Sequence, residues 1–239
     1  HICWGSDTEA MRAKCCGRYQ SPRRSSVQWN QLDFIEERPA RWDVYAFKGD
    51  PMLLLPEPGT IKAGKVIIEV GAFEETSFYH RLEEDESLVV IAFEPHPVFG
   101  RMQPWHPRFY LLPAAAGDVD YTPGVVVRSP FHQTRQGYCS SLRTPQMPHV
   151  WSEFGQADAK ESIKGCVEVV DMVTVPVLPL EPVLQRAASF GPIQLLEVDA
   201  QGTDISVVES GGESLVLVPR VVLEVQDEQS LLYQGSSSK

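Results

Sequence analysis

The chain has 239 residues, of which 43% are hydrophobic and 22% are charged, and its 32 acidic and 21 basic residues give a formal net charge of −11. A chain of this length and composition buries a sizeable core without depending on disulfides. Its negative charge repels nucleic acid, so we expect no nucleic-acid partner. It contains no run of about 18 apolar residues, so we expect no membrane-spanning segment.

The first sixty residues show no clear helical or strand period and carry Cys3, Cys15 and Cys16. We predict that residues 1–60 form an irregular arm, packed through its aromatic side chains on a domain of residues 61–239. Two interpretations of the cysteines stay open: disulfides, which favour the secretory-pathway lumen, or free thiols, which favour the cytoplasm. Their spacing lacks the paired cysteines and nearby histidines of structural zinc sites, so no metal is expected.

From residue 64 onward, short apolar runs alternate with helical patterns. The sequence predicts a buried strand at 65–70, a helix at 76–86, and further buried strands at 87–93 and 109–112. Connections this short between a strand, a helix and the next strand require parallel pairing and a right-handed crossover.

The second half of the chain is less regular in its middle and regular again toward its end. In the irregular middle, apolar periodicity predicts a short strand at 125–127 and mostly loop over 130–154. After it come a predicted strand at 167–177, an amphipathic helix at 180–188 and a strand at 193–198. A helix capped by Thr203 and closed by Gly211 and a last strand at 221–225 complete the prediction. Such alternation predicts an α/β fold with a mostly parallel central sheet flanked by helices.

Acidic residues follow several of these strands. Glu94, Asp199 and Glu224 each lie at a strand end, and Gly71 ends a fourth strand. Ligands of open parallel sheets bind outside the carboxyl ends of the strands, so these side chains are expected at a ligand site. Glu94 follows Gly71 by about twenty residues, the arrangement in which a carboxylate accepts hydrogen bonds from ribose hydroxyls.

The turn after the first strand indicates which nucleoside cofactor fits. Residues 71–76 contain one glycine and two carboxylates, instead of the G-x-G-x-x-G pattern whose bare backbone holds a pyrophosphate. Carboxylates repel a diphosphate and tolerate a sulfonium cation. The turn therefore favours S-adenosylmethionine over a dinucleotide.

Three sequence blocks, at 66–72, 92–95 and 196–204, resemble the signature blocks of the FkbM-type methyltransferases, and 222–225 resembles the strand that follows them in that family. The resemblance implies a Rossmann-like class I methyltransferase fold with an irregular N-terminal arm, S-adenosylmethionine as the methyl donor, and O-methylation of a hydroxyl on a sugar or small metabolite. It thus implies a small-molecule or glycan acceptor as the partner. The chain departs from the family at Phe73, Glu75, Glu197 and Gln201, where Asn, Gly, Lys and Glu are common.

Site residues follow from these blocks by position. We expect Asp199 to act as the base, with Gln201 and Asp204 orienting the acceptor. The predicted cofactor-binding residues are Glu69, Gly71, Ala72, Phe73, Thr76, Glu94, Pro95 and Ala115. His96, Ser140 and Ser141 are further candidates for the pocket. Two alternatives stay open, a non-catalytic Rossmann-like binding module and an NAD-dependent oxidoreductase.

Overall fold

The computed structural model describes residues 45, 47–103, 105–148, 157–224 and 232–236. Most of the predicted arm, with its three cysteines, lies outside the described residues. Tyr45 is described, and it donates a hydrogen bond from its hydroxyl to the backbone carbonyl of Glu94. Within the described part of the chain, no helix is long and apolar enough to cross a membrane.

The described residues form eight strands and five α-helices. The strands are β1 Lys65–Val70, β2 Leu88–Phe93, β3 Phe109–Leu112, β4 Ala115–Ala116, β5 Val127–Thr134, β6 Val169–Leu178, β7 Ile193–Val198 and β8 Val221–Leu223. The α-helices are α1 Tyr79–Glu84, α2 Pro97–Met102, α3 Ala157–Val167, α4 Leu180–Ala188 and α5 Asp204–Glu209. Short 3-10 turns lie at Pro51–Leu54, Gly137–Cys139 and Gly212–Leu217.

Five parallel strands form the central sheet in the order β3-β2-β1-β7-β8. The chain runs outward from β1 through β2 to β3, and later returns to place β7 on the opposite side of β1. The strand order therefore reverses between β1 and β7, and an open α/β sheet binds its ligand at that crevice. The predicted α/β fold with a mostly parallel sheet is confirmed.

Both faces of the central sheet are covered, which explains why its strands are almost continuously apolar. Ile68 on β1 packs in the same core as Leu180 and Leu184 of α4. Ile67, the residue before it in the strand, points to the opposite face and packs with Leu82 of α1. Each such side chain is fully buried, and its transfer from water stabilises the fold by roughly 1.5–3 kcal/mol.

A second sheet of three strands, in the order β4-β6-β5, accounts for the middle of the chain. β5 pairs antiparallel with β6 from Val127 to Thr134, so the prediction of mostly loop from residue 130 was wrong at its start. The strand escapes a search for apolar runs because it contains Pro130 and His132, and much of it is only half-buried. Helix α3 was not predicted either.

Candidate active site

A cavity of about 170 Å³ opens at the carboxyl ends of β1, β2 and β7. One water molecule needs roughly 10–15 Å³ of such space, so the cavity is large enough for a ligand. Its lining includes Gly71, Phe73, Glu94, His96, Asp199 and Gln201. The strand-end residues singled out in the sequence therefore meet at one place, where the sheet topology reverses.

Gly71 forms the turn at the end of β1. Its φ of +89° lies in the left-handed region, and a Cβ atom there would lie 2.2 Å from the backbone oxygen of Asp199. The amide of Asp199 in turn donates to the carbonyl of Val70 over 2.9 Å. The ends of β1 and β7 thus approach so closely that only glycine fits between them.

Glu94 lies at the inner edge of the cavity and is only 4% exposed. One carboxylate oxygen accepts from the amide of Phe73 at 2.8 Å, and the other accepts from the amide of His96 at 2.7 Å. Burial raises the pKa of Glu94 to about 8, against the opposing effect of these two amides. Because a carboxylate offers about four acceptor positions, each oxygen keeps capacity for a further donor.

Two buried side chains, Glu69 and Gln103, hold the turn after Gly71 through hydrogen bonds. Glu69 accepts from the hydroxyl of Thr76 and, at 3.0 Å, from the amide of Ser77. Gln103 accepts from the amide of Thr76 at 2.9 Å and donates to the carbonyls of Ala72 and Phe73. Burial raises the pKa of Glu69, while the Thr76 hydroxyl opposes that rise.

Four rings form one side of the cavity, and we call them the aromatic wall: Phe73, His96, Phe99 and Tyr138. The ring of Phe99 lies 4.2 Å from the rings of both Phe73 and His96, and Tyr138 meets Phe73 edge-on at 6.0 Å. Phe73 has a left-handed φ of +48°. Its ring packs between those of Phe99 and Tyr138, and the cavity beside it stays open.

Gln201 links the two acids at the ends of β7 and β8. Its side-chain nitrogen donates to a carboxylate oxygen of Asp199 and, at 3.1 Å, to one of Glu224. Its side-chain oxygen accepts from the hydroxyl of Tyr233 at 2.7 Å. Solvent reaches Asp199, yet the protein around it removes enough hydration to raise its pKa to about 7, and the negative charge of Glu224 adds to the rise.

Asp204 supports the loop that follows β7. Its carboxylate accepts from the amides of Ala200 at 2.7 Å and Gly202 at 3.0 Å, in the first turn of α5. The hydroxyl of Ser141 donates to the backbone carbonyl of Gln201 at 2.6 Å. These hydrogen bonds fix the backbone of the loop that carries Asp199 and Gln201.

The predicted site residues thus divide into two groups. Those that line the cavity are Gly71, Phe73, Glu94, Pro95, Ala115, Asp199 and Gln201. Those described residues that do not line it, and instead lie in or support the neighbouring loops, are Glu69, Ala72, Thr76 and Asp204. Of the further candidates, His96 and Ser140 line the cavity.

Sequence reasoning missed four residues of this region: Phe99, Gln103, Tyr138 and Tyr233. Phe99 and Gln103 lie in and just after a helix of six residues, too short for a clear period. Tyr233 is fully buried, although its neighbours Gln234 and Gly235 are typical of an exposed tail. In the described ranges, no group of three or more His, Cys, Asp or Glu side chains is arranged to hold a metal ion.

Comparison with known proteins gives one family match. The methyltransferase FkbM domain matches residues 62–233, from just before β1 to Tyr233. Comparisons with curated proteins and with solved structures found no match. The FkbM match covers most of the chain and spans all the strands that form the cavity, and it favours methyl transfer over the dinucleotide alternative. The chain therefore belongs to the FkbM methyltransferase family and is an S-adenosylmethionine-dependent methyltransferase.

Proposed function

We propose that the cavity at the β1–β7 crevice holds S-adenosylmethionine and that the enzyme methylates a hydroxyl group on an uncharged sugar or small metabolite. The observation that carries the proposal is the lining of the cavity: carboxylates and aromatic rings meet there, and none of its described lining residues is Lys or Arg. Such a lining suits a cationic donor and a neutral acceptor.

The residues at the inner end of the cavity fit an adenosine with a sulfonium group. Glu94 keeps acceptor capacity on both oxygens after binding the amides of Phe73 and His96, which suits the two hydroxyls of a ribose. Gly71 contributes bare backbone to the lining of this end. The bound cofactor would supply a methyl group on a positively charged sulfur, and the acids nearby favour that charge.

The remaining lining residues favour an uncharged acceptor. A phosphate on the acceptor would lose its hydration without gaining a cationic partner, and Glu94 and Asp199, where ionised, would repel it. The aromatic wall offers ring faces that pack against the C–H face of a sugar or against an apolar ring. We therefore infer a neutral hydroxyl compound as the acceptor.

Asp199 is the base in this proposal, because a hydroxyl acceptor must lose its proton as its oxygen gains the methyl group. The pKa of Asp199 is raised to about 7, close to ordinary working pH, which is where a general base is most effective. Gln201 donates a hydrogen bond that orients the carboxylate of Asp199, and Asp204 holds the backbone of the loop that carries Asp199 and Gln201.

Turnover of paired acceptors tests the proposal. The full chain is incubated with methyl-labelled S-adenosylmethionine and either a panel of neutral sugars or the matching sugar phosphates, and methyl ethers are detected by mass spectrometry. We expect transfer to neutral hydroxyls and little to the phosphates. Preferential methylation of the phosphates, or of nitrogen or carbon atoms in place of hydroxyls, would contradict it.

A pair of variants tests the base. Asp199→Asn should lower kcat by roughly 10²–10⁴-fold, since it removes the proton acceptor, while binding of S-adenosylhomocysteine changes little. The exposed Asp118 does not line the cavity, so Asp118→Asn serves as the matched control and should keep full activity. An Asp199→Asn enzyme with normal kcat would show that the base lies elsewhere.

A further inference from the structure

The structure joins two carboxylates, one amide and one phenol at the ends of β7 and β8. We propose that Gln201, Glu224 and Tyr233 are positioning residues that hold Asp199 and make the Asp199–Glu224 pair, rather than Asp199 alone, the unit that receives the acceptor's proton. The inference rests on the proposed function, in which Asp199 is the base.

The first support is the match between donors and acceptors at Gln201. Its side-chain nitrogen carries two hydrogens and lies within hydrogen-bonding reach of two carboxylates, those of Asp199 and Glu224. Its side-chain oxygen faces the hydroxyl of Tyr233 at 2.7 Å. The opposite orientation of the amide would place its oxygen against two negative groups, so the two acids select the orientation in which the amide oxygen faces the phenol.

Tyr233 is itself rigidly held. The residue is fully buried, and its hydroxyl also lies 2.9 Å from the carbonyl of Cys139. A Cβ atom on Gly202 would lie 2.5 Å from the Tyr233 ring, so the ring packs directly on the residue after Gln201. Gln201 has a left-handed φ of +51°, a conformation that non-glycine residues keep only when their surroundings fix it.

Several acidic groups surround Asp199, from its own strand end and from the neighbouring elements. They are Glu197 on β7, Asp204 on α5, Glu224 after β8, Glu94 after β2, and the phenol of Tyr233. Of the charges acting on Asp199, that of Glu224 raises its pKa most, after the effect of burial. Two ionised carboxylates held together attract a proton more strongly than either does alone.

The proton step in this arrangement is balanced. The O–H bond of the acceptor breaks, and the proton joins an oxygen of Asp199, where it is shared by hydrogen bonding with Glu224. The electron pair stays on the acceptor oxygen, which forms the new bond to the methyl carbon while the carbon–sulfur bond breaks toward sulfur. Gln201 keeps the two carboxylates in place before and after the transfer.

Carboxyl ¹³C NMR of the ligand-free protein tests the pair without turnover. The titration of Asp199 is followed in the unsubstituted protein, in Glu224→Gln and in the exposed control Glu213→Gln. Since Glu224→Gln removes one charge and Glu224 is exposed, the fold should survive, and the Asp199 midpoint should fall by about one pH unit or more. The control should leave the midpoint unchanged, and an unchanged midpoint in Glu224→Gln overturns the proposal.

Kinetics separates this proposal from the one on which it rests. In Glu224→Gln the acidic limb of the kcat profile should shift to lower pH with the NMR midpoint, and Tyr233→Phe should lower kcat by about tenfold while the KM for S-adenosylmethionine stays within about twofold. In one outcome, Asp199→Asn is inactive while Glu224→Gln shifts neither the acidic limb of the kcat profile nor the Asp199 midpoint. That result would support Asp199 as the base and contradict its coupling to Glu224. If the Asp199 midpoint shifts in Glu224→Gln while Asp199→Asn keeps its activity, Asp199 is not the base, although its coupling to Glu224 is confirmed.

Discussion

At the scale of single residues, the turn after β1 depends on Gly71 for two separate reasons. The backbone is left-handed at this position, and the neighbouring strand end leaves no space for a side chain. Glu94 shows a comparable double use, because its two oxygens hold the turn residue Phe73 and the residue that precedes α2 while still facing the cavity. One buried acid thus builds the pocket and offers it an acceptor.

Gly71→Ala should destabilise the protein by about 3 kcal/mol or more, because the Cβ would meet the carbonyl oxygen of Asp199 at 2.2 Å. Gly59→Ala is the matched control. Gly59 has a similar φ of +79°, but nothing lies within 4 Å of its Cβ position, so only the cost of the backbone conformation, about 1–2 kcal/mol, is expected. Urea unfolding measures both, and equal losses in the two variants would show that the close approach is unimportant.

At the scale of elements, the sequence predicts the strands and helices whose buried residues leave a clear apolar pattern. The strands β1, β2, β3 and β7 and the helix α4 were predicted almost to their ends, because the strands are mostly apolar and the helix carries a full apolar stripe. Most of β5 was missed because an edge strand with exposed residues leaves no such pattern. At the site, the strand-end acids follow from topology alone, whereas Tyr233 reaches Gln201 only through long-range folding that local sequence does not record.

The disulfide between Cys139 and Cys166 joins the 3-10 turn at the cavity wall to α3 and spans 27 residues. In the double variant Cys139→Ala/Cys166→Ala, the free energy of unfolding should fall by roughly 3 kcal/mol, because the unfolded chain regains the freedom of that loop. Unfolding is measured with and without reductant. Reductant should weaken the unsubstituted protein and leave the double variant unchanged, and no effect on either would contradict a stabilising role.

At the scale of the whole molecule, burial of acids at the site opposes the stability of the fold. The pKa of Glu94 rises to about 8 and that of Asp199 to about 7, so the native state keeps protons that the unfolded chain has released. Stability from these groups is therefore present at low pH and is lost as pH rises through the native pKa values. His96 acts oppositely, since burial lowers its pKa from 6.5 to about 4 and adds stability as pH rises between those values.

Above pH 6.5 the contribution of His96 is complete, so the acids decide the trend. We expect the free energy of unfolding to fall between pH 6.5 and pH 8, by up to about 1.4 kcal/mol per pH unit from the buried Glu94. Asp199 is exposed to solvent and therefore adds less. Glu94→Gln should show a shallower fall, because it removes one such group. Urea unfolding across this range checks the sign, and stability that rises with pH would contradict it.

Calorimetric titration with S-adenosylhomocysteine tests most directly whether the acid at the end of β2 holds the cofactor. The unsubstituted protein should bind, and Glu94→Gln should bind about 10–100-fold more weakly, because an NH₂ group replaces one of the two oxygens that accept hydrogen bonds. Glu75→Gln, in the exposed part of the same turn, should bind as well as the unsubstituted protein. Circular dichroism verifies that the variants are folded. An unsubstituted protein that gives no binding heat, or a folded Glu94→Gln that binds with undiminished affinity, would contradict the account.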